Sequence, residues 1–149
     1  MRWSRLLSSF KKYYDWNPTE IIFHGNNEKE NTVLREVSAW PELYYLKEMI
    51  DKQPQLTVNQ VIQFMGTHAG AHYRRRWNFC TKEEKLVLYQ LSTGMMVNPR
   101  NIEPLEHLMR RGFVRRDPRW TIVSESFARY VRTAEPAAVY QKWVSVSEQ

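Results

Sequence analysis

The sequence predicts a mainly α protein with a single two-stranded β-hairpin towards its C-terminal end. Apolar residues recur at i, i+3, i+4 spacing along most of its 149 residues, which is the repeat of helices that bury one face. Helix start and stop signals bracket several of these stripes. Only "FVRR" and "WTIV", separated by "DPR", show the paired alternation of a hairpin.

Taken in order, "WSRLLSSFKKYY" sets Trp3, Leu6, Leu7, Phe10 and Tyr14 on one face of an amphipathic helix, with Arg5, Lys11 and Lys12 elsewhere. Such a helix covers a core or, with its basic rim, rests on a membrane surface. "WNPTEIIFHGNNEKEN" then reads as a short extended piece around Ile21–Phe23 followed by a loop. From Asn31 the helical period returns through Val33, Leu34 and Val37. Pro41 suits a first helical turn, and Leu43, Leu46, Met49 and Ile50 form the next stripe before "KQPQ". The spacing of Val61, Ile62, Met65, Ala69, Tyr73 and Trp77 predicts one long helix from about Val58 to Asn78, in which Gly66 and Gly70 would admit a close neighbour.

Thr81 followed by Glu84 fits a capping box, so a helix begins there and ends at Gly94 in a left-handed cap. "MMV" is too brief for a helix and suggests a short strand. A further helix follows "NPRN", with Ile102, Leu105, Leu108 and Met109 inward, Glu103, Glu106, His107 and Arg110 outward, and Gly112 closing it. After the hairpin, Ser124 caps a helix bearing Phe127, Tyr130 and Val131.

The segment "EKLVLYQL … NIEPLEHLMRRGFVRRDPRWTIVSESFARYV" resembles a winged-helix domain over residues 80–132. It departs from that pattern in offering one clear helix between Met95 and Gly112 where a helix-turn-helix has two. The fold class is then an N-terminal small helical bundle, residues 1–79, followed by a winged-helix subdomain, with 133–149 as a tail or linker. Taken with "LLSSFKKYY", "VLREVSAWPELYYLKEMI" and "YRRRWNFCTKEEKLVLYQLS", the chain resembles the helical and winged-helix region that follows the nucleotide-binding core of bacterial AAA+/STAND-type signalling ATPases. That resemblance implies an accessory, non-catalytic region that binds protein partners or adjoining domains.

Composition and motifs bound the chemistry. No GxxxxGK phosphate loop occurs among the five glycines, and Ser124 and Ser126 have no histidine in sequence reach. His68, His72 and Cys80 would have to share a zinc ion although the thiol lies about 12 Å along the same helix from His72. The expectation is therefore no enzyme, no cofactor and no metal. One cysteine precludes an internal disulfide and points to the cytoplasm. No run of about 18 apolar residues suggests a transmembrane segment.

Charge is where the sequence speaks of partners. Residues 73–132 hold thirteen basic and six acidic side chains, whereas the remainder holds nine basic and ten acidic. Arg74, Arg75 and Arg76, between Tyr73 and Trp77, either stack on bases and phosphates or complement a helix C-terminus. "LMRRGFVRRDPRW" packs five arginines into thirteen residues. Within it Arg110, Arg115, Arg116 and Arg119 are the candidate contacts for a protein partner or for nucleic acid. Two carboxylates, Glu103 and Glu106, on the outer face of the would-be recognition helix favour protein contacts over a DNA-binding regulator, since they would face phosphates.

Overall fold

The computed structural model describes residues 27–147 except Asp117. The expected helix at Trp3–Tyr14 and the extended piece at Ile21–Phe23 lie outside them. The chain divides between Met65 and Gly66 into two compact units.

In the first unit, α1 (Glu28–Ser38) begins earlier than the apolar stripe suggests, because Asn27 caps it by accepting from the Glu30 backbone N–H at 3.2 Å. Pro41–Leu43 forms a 3-10 turn leading into α2 (Tyr45–Asp51), which packs on α1. Val33, Val37, Trp40, Leu43, Leu46 and Ile50 are buried, while Met49 faces out. Lys29 Nζ donates to the Gln53 carbonyl at 3.0 Å, tying α1 to the chain beyond α2. Thr57 and Gln60 exchange side-chain and backbone hydrogen bonds, a capping box that starts α3 (Val58–His68).

The long helix expected over Val58–Asn78 is two helices. Its continuity fails at Ala69, whose backbone lies at φ −98° and ψ 2°, and α4 (Gly70–Asn78) starts afresh after it. Glycines at 66 and 70 lower the cost of such a break, since each disfavours helix by about 1 kcal/mol relative to alanine. The expected close neighbour is not there: among the described residues a Cβ on either glycine would meet open space.

The second unit is built around α5 (Lys82–Ser92), against which α6 (Ile102–Arg110), α7 (Glu125–Ala134), α8 (Ala137–Ser147) and the hairpin all pack. The Thr81–Glu84 capping box forms as the spacing predicts. Gly94 and Gly112 both take positive φ. At each, the next N–H reaches back across the last turn, Met95 to the Gln90 carbonyl and Phe113 to that of Leu108, so both helices end in a Schellman motif. The second of these delivers the chain directly into β1 (Val114–Arg116), which pairs antiparallel with β2 (Trp120–Ile122) in the register Arg115 opposite Thr121. Ser124 caps α7 through the Phe127 N–H at 3.1 Å.

This mostly helical unit with a two-stranded antiparallel hairpin is compatible with a winged-helix-like shape. Between α5 and α6 only a 3-10 turn, Pro99–Asn101, stands where a helix-turn-helix has its second helix. The strand expected at Met95–Val97 does not form; these residues run irregularly from the Gly94 cap to the Asn98–Pro99 turn. Residues 133–149, read as a tail or linker, contain α8. Its Tyr140 is buried, stacks on Tyr89 at 3.9 Å between ring centroids, and donates from its hydroxyl to the Val131 carbonyl.

Candidate functional site

Two sides of the second unit differ: one is tied together by buried polar contacts, and the other leaves apolar side chains exposed. On one side Tyr73 and Ser126 share a buried hydroxyl–hydroxyl hydrogen bond of 2.6 Å, with Ser124 3.0 Å from Ser126. Trp77 Nε1 donates to Glu135 Oε1 at 3.2 Å, and Arg132 Nε donates to the Ser92 carbonyl at 2.7 Å. Glu84, only 2% exposed, accepts from the Thr81 N–H through one oxygen and from Arg111 Nη1 through the other at 2.8 Å. Arg111 also donates to Cys80 Sγ at 3.3 Å and lies over the Phe113 ring. Burial pushes the Cys80 thiol up to about 11 against the lowering pull of Arg111. A thiol held protonated is a poor nucleophile and a poor metal ligand.

On the other side lies an open cleft of about 440 Å³, lined by Leu91, Met95, Val97, Ile102, Leu105 and Trp120, with Arg119 at its rim. Ile102 and Met109, expected inside, are 47% and 43% exposed, while Leu105 and Leu108 are buried. A nine-residue helix can bury only a narrow stripe, and Leu105 and Leu108 occupy it. Met96 is 92% exposed beside the cleft. Among the described residues no strand forms at Met95–Val97, and Met95, Met96 and Ile102 stay exposed there.

The arginines do not converge. Arg74 lies beside Tyr130, whose phenol burial raises its pKa while Arg74 works against that shift. Arg75 is exposed and Arg76 donates to His72 Nε2 at 2.9 Å, so these three spread around α4 rather than form one patch. Arg110 is exposed at the end of α6. Pairing register puts Arg116 across from Trp120, with its guanidinium 5.7 Å from the ring centroid, and Arg115 across from Thr121 on the opposite sheet face. Arg119 alone of the named arginines lines the cleft. His68 and His72 fall on different helices, and no group of three metal-ligating side chains gathers among the described residues.

Sequence reasoning missed two things here. Arg111 sat in the arginine run with nothing to mark it as the partner of Glu84, because a separation of 27 positions closes only in three dimensions. The cleft was signalled weakly by "MMV", an apolar run with no periodic partner. No helix among the described residues is long and apolar enough to cross a membrane. No protein-family model, no curated protein and no solved structure matches the chain.

Proposed function

We propose that this chain is a non-catalytic regulatory module that docks protein partners through its winged-helix half. The observation that carries the reading is the apolar cleft lined by Met95–Val97, α6 and the start of β2, with Met96 and Ile102 exposed at it. Concave apolar surface with a few polar groups at its edge is the usual character of a binding site, and adjoining exposed apolar side chains mark contact surface. The order of helices, cap and wing that resembles bacterial AAA+/STAND-type signalling ATPases supports an accessory region of such an enzyme, in contact with its other domains or with a protein partner.

A winged-helix DNA-binding regulator is the second reading, favoured by exposed Arg115, Arg116 and Arg119 on the wing. Against it stand Glu103 and Glu106, both exposed on α6, the helix that would enter a major groove. Titration with random duplex DNA at 50 and 200 mM salt separates the two. Protein docking expects no submicromolar duplex binding at either salt. Submicromolar binding that falls steeply with salt and disappears on joint reversal of Arg115 and Arg119 to glutamate overturns the proposal, because phosphate contacts impose that salt dependence.

A further inference from the structure

The hairpin has one edge in use and one edge open. In an antiparallel ladder, residues that face each other alternate between pairs that exchange hydrogen bonds and pairs that turn their N–H and C=O groups away. Val123 N–H donates to the Phe113 carbonyl at 3.1 Å, which fixes 113 and 123 as a bonded pair. Counting along the register, Arg115 and Thr121 are the next bonded pair, so Trp120 and Ile122 point their backbone groups away from β1. Among the described residues no hydrogen bond reaches those groups of Trp120 or Ile122. The cleft is lined by Arg119, Trp120 and Thr121 and by no residue of β1, so it lies alongside β2 away from its paired strand. Its far wall is Met95–Val97, the segment that stays irregular where a strand was expected.

We propose that this slot receives an extended segment of a partner protein, added as a strand to the free edge of β2. The chemistry of the slot says which segment. An added strand presents its side chains alternately to the two faces of the sheet. Trp120 lines the slot together with Met95, Ile102 and Leu105, so the positions on its face take apolar side chains. The opposite face it shares with Thr121, across from which stands exposed Arg115, and Arg119 is exposed at the slot's rim. Those positions take carboxylates. The unit as a whole favours an acidic partner, since residues 66–149 hold fourteen basic and eight acidic side chains against eight and eight in residues 1–65. Main-chain hydrogen bonds supply the affinity in this mode and the alternate side chains supply the choice of partner. An open strand edge is otherwise a hazard that proteins cover or charge, and Arg119 and Arg115 serve that end by repelling a second copy of the same edge.

The proposal rests on the protein-docking reading and is tested with three acetylated, amidated hexapeptides: alternating glutamate and valine, the same peptide with every amide N-methylated, and alternating lysine and valine. The full chain is titrated with each at 50 mM salt by fluorescence anisotropy, with amide exchange followed by NMR. The glutamate peptide is expected to bind saturably and to slow exchange at Trp120 and Ile122 at least tenfold. N-methylation should weaken binding at least tenfold, since it removes the donors to the edge, and the lysine peptide should bind at least tenfold more weakly. R119E should weaken the glutamate peptide at least fivefold. Equal binding of the N-methylated peptide, unchanged exchange at both residues, or no binding of the glutamate peptide overturns the inference. Slowed exchange at Trp120 and Ile122 that grows with protein concentration in the absence of peptide also overturns it, assigning the edge to a second copy. Peptide failure with duplex DNA also silent sinks the strand inference alone, whereas duplex binding sinks the docking reading beneath it.

Discussion

The two sides of the second unit use the same kinds of residue to opposite ends. Around α4, α7 and α8, buried Tyr73, Trp77, Ser126 and Tyr140 each have a polar partner within the unit, and Glu84 of α5 is held by Arg111 at the end of α6. Where α6 and the hairpin meet the Met95–Val97 segment, apolar side chains stand exposed and a strand edge has no partner among the described residues. Burying a polar group without a hydrogen bond costs about 1–3 kcal/mol, so the first side is committed to holding the fold. The second side retains unsatisfied surface, and that is what makes it available for docking.

Substitutions on each side test this contrast. Leu108→Ala, at a fully buried position on α6, is expected to destabilise by about 2–5 kcal/mol in denaturant unfolding, with Leu105→Ala at the low end because Leu105 borders the cleft. A near-zero loss at Leu108 would mean that α6 presents another face to the core. Arg111→Ala should cost about 1.5–3 kcal/mol, since it strips a charged hydrogen bond from a carboxylate that is almost wholly buried. A change below about 0.5 kcal/mol would place that pair among surface ion pairs of little consequence.

Cys80 adds a pH dependence to the buried side. Its ordinary pKa of 9.0 becomes about 11 in the fold, so between these values the folded form keeps a proton that the unfolded chain has released. The stability this thiol contributes is intact below pH 9 and declines as pH rises towards about 11. Alkylation of the native protein by iodoacetamide should therefore be slow at pH 8 relative to the unfolded chain, and should keep rising beyond pH 9. A plateau near pH 9 would contradict the burial argument. The smallest effect is expected on the open side: Met96→Ala and Arg119→Glu should each alter stability by no more than about 0.5 kcal/mol. A larger loss at either would show that the cleft residues support the fold after all.

By itself the sequence determined the parts whose causes are local. A capping box depends on two side chains three residues apart, and a Schellman motif on one glycine at the end of a helix. Thr81–Glu84, Gly94, Gly112 and Ser124 were therefore legible in order of residues, as was the hairpin from its alternation about Asp117–Pro118–Arg119. The broad class, mainly α with one hairpin, followed from those same short-range signals. Tertiary structure decided what depends on distant chain. The break at Ala69 interrupts a stripe whose period is continuous across it, so periodicity could not reveal it. Ile102 and Met109 repeat at helical spacing like Leu105 and Leu108, yet only the latter two find neighbours to cover them. Arg111 looks like every other arginine in its run until the fold sets it against Glu84. Met95–Val97 and β2 line the same cleft although they lie more than twenty residues apart in the chain, and no backbone hydrogen bond joins them. A strand edge is free or filled according to what the rest of the chain brings beside it, and that is a property of the packed molecule.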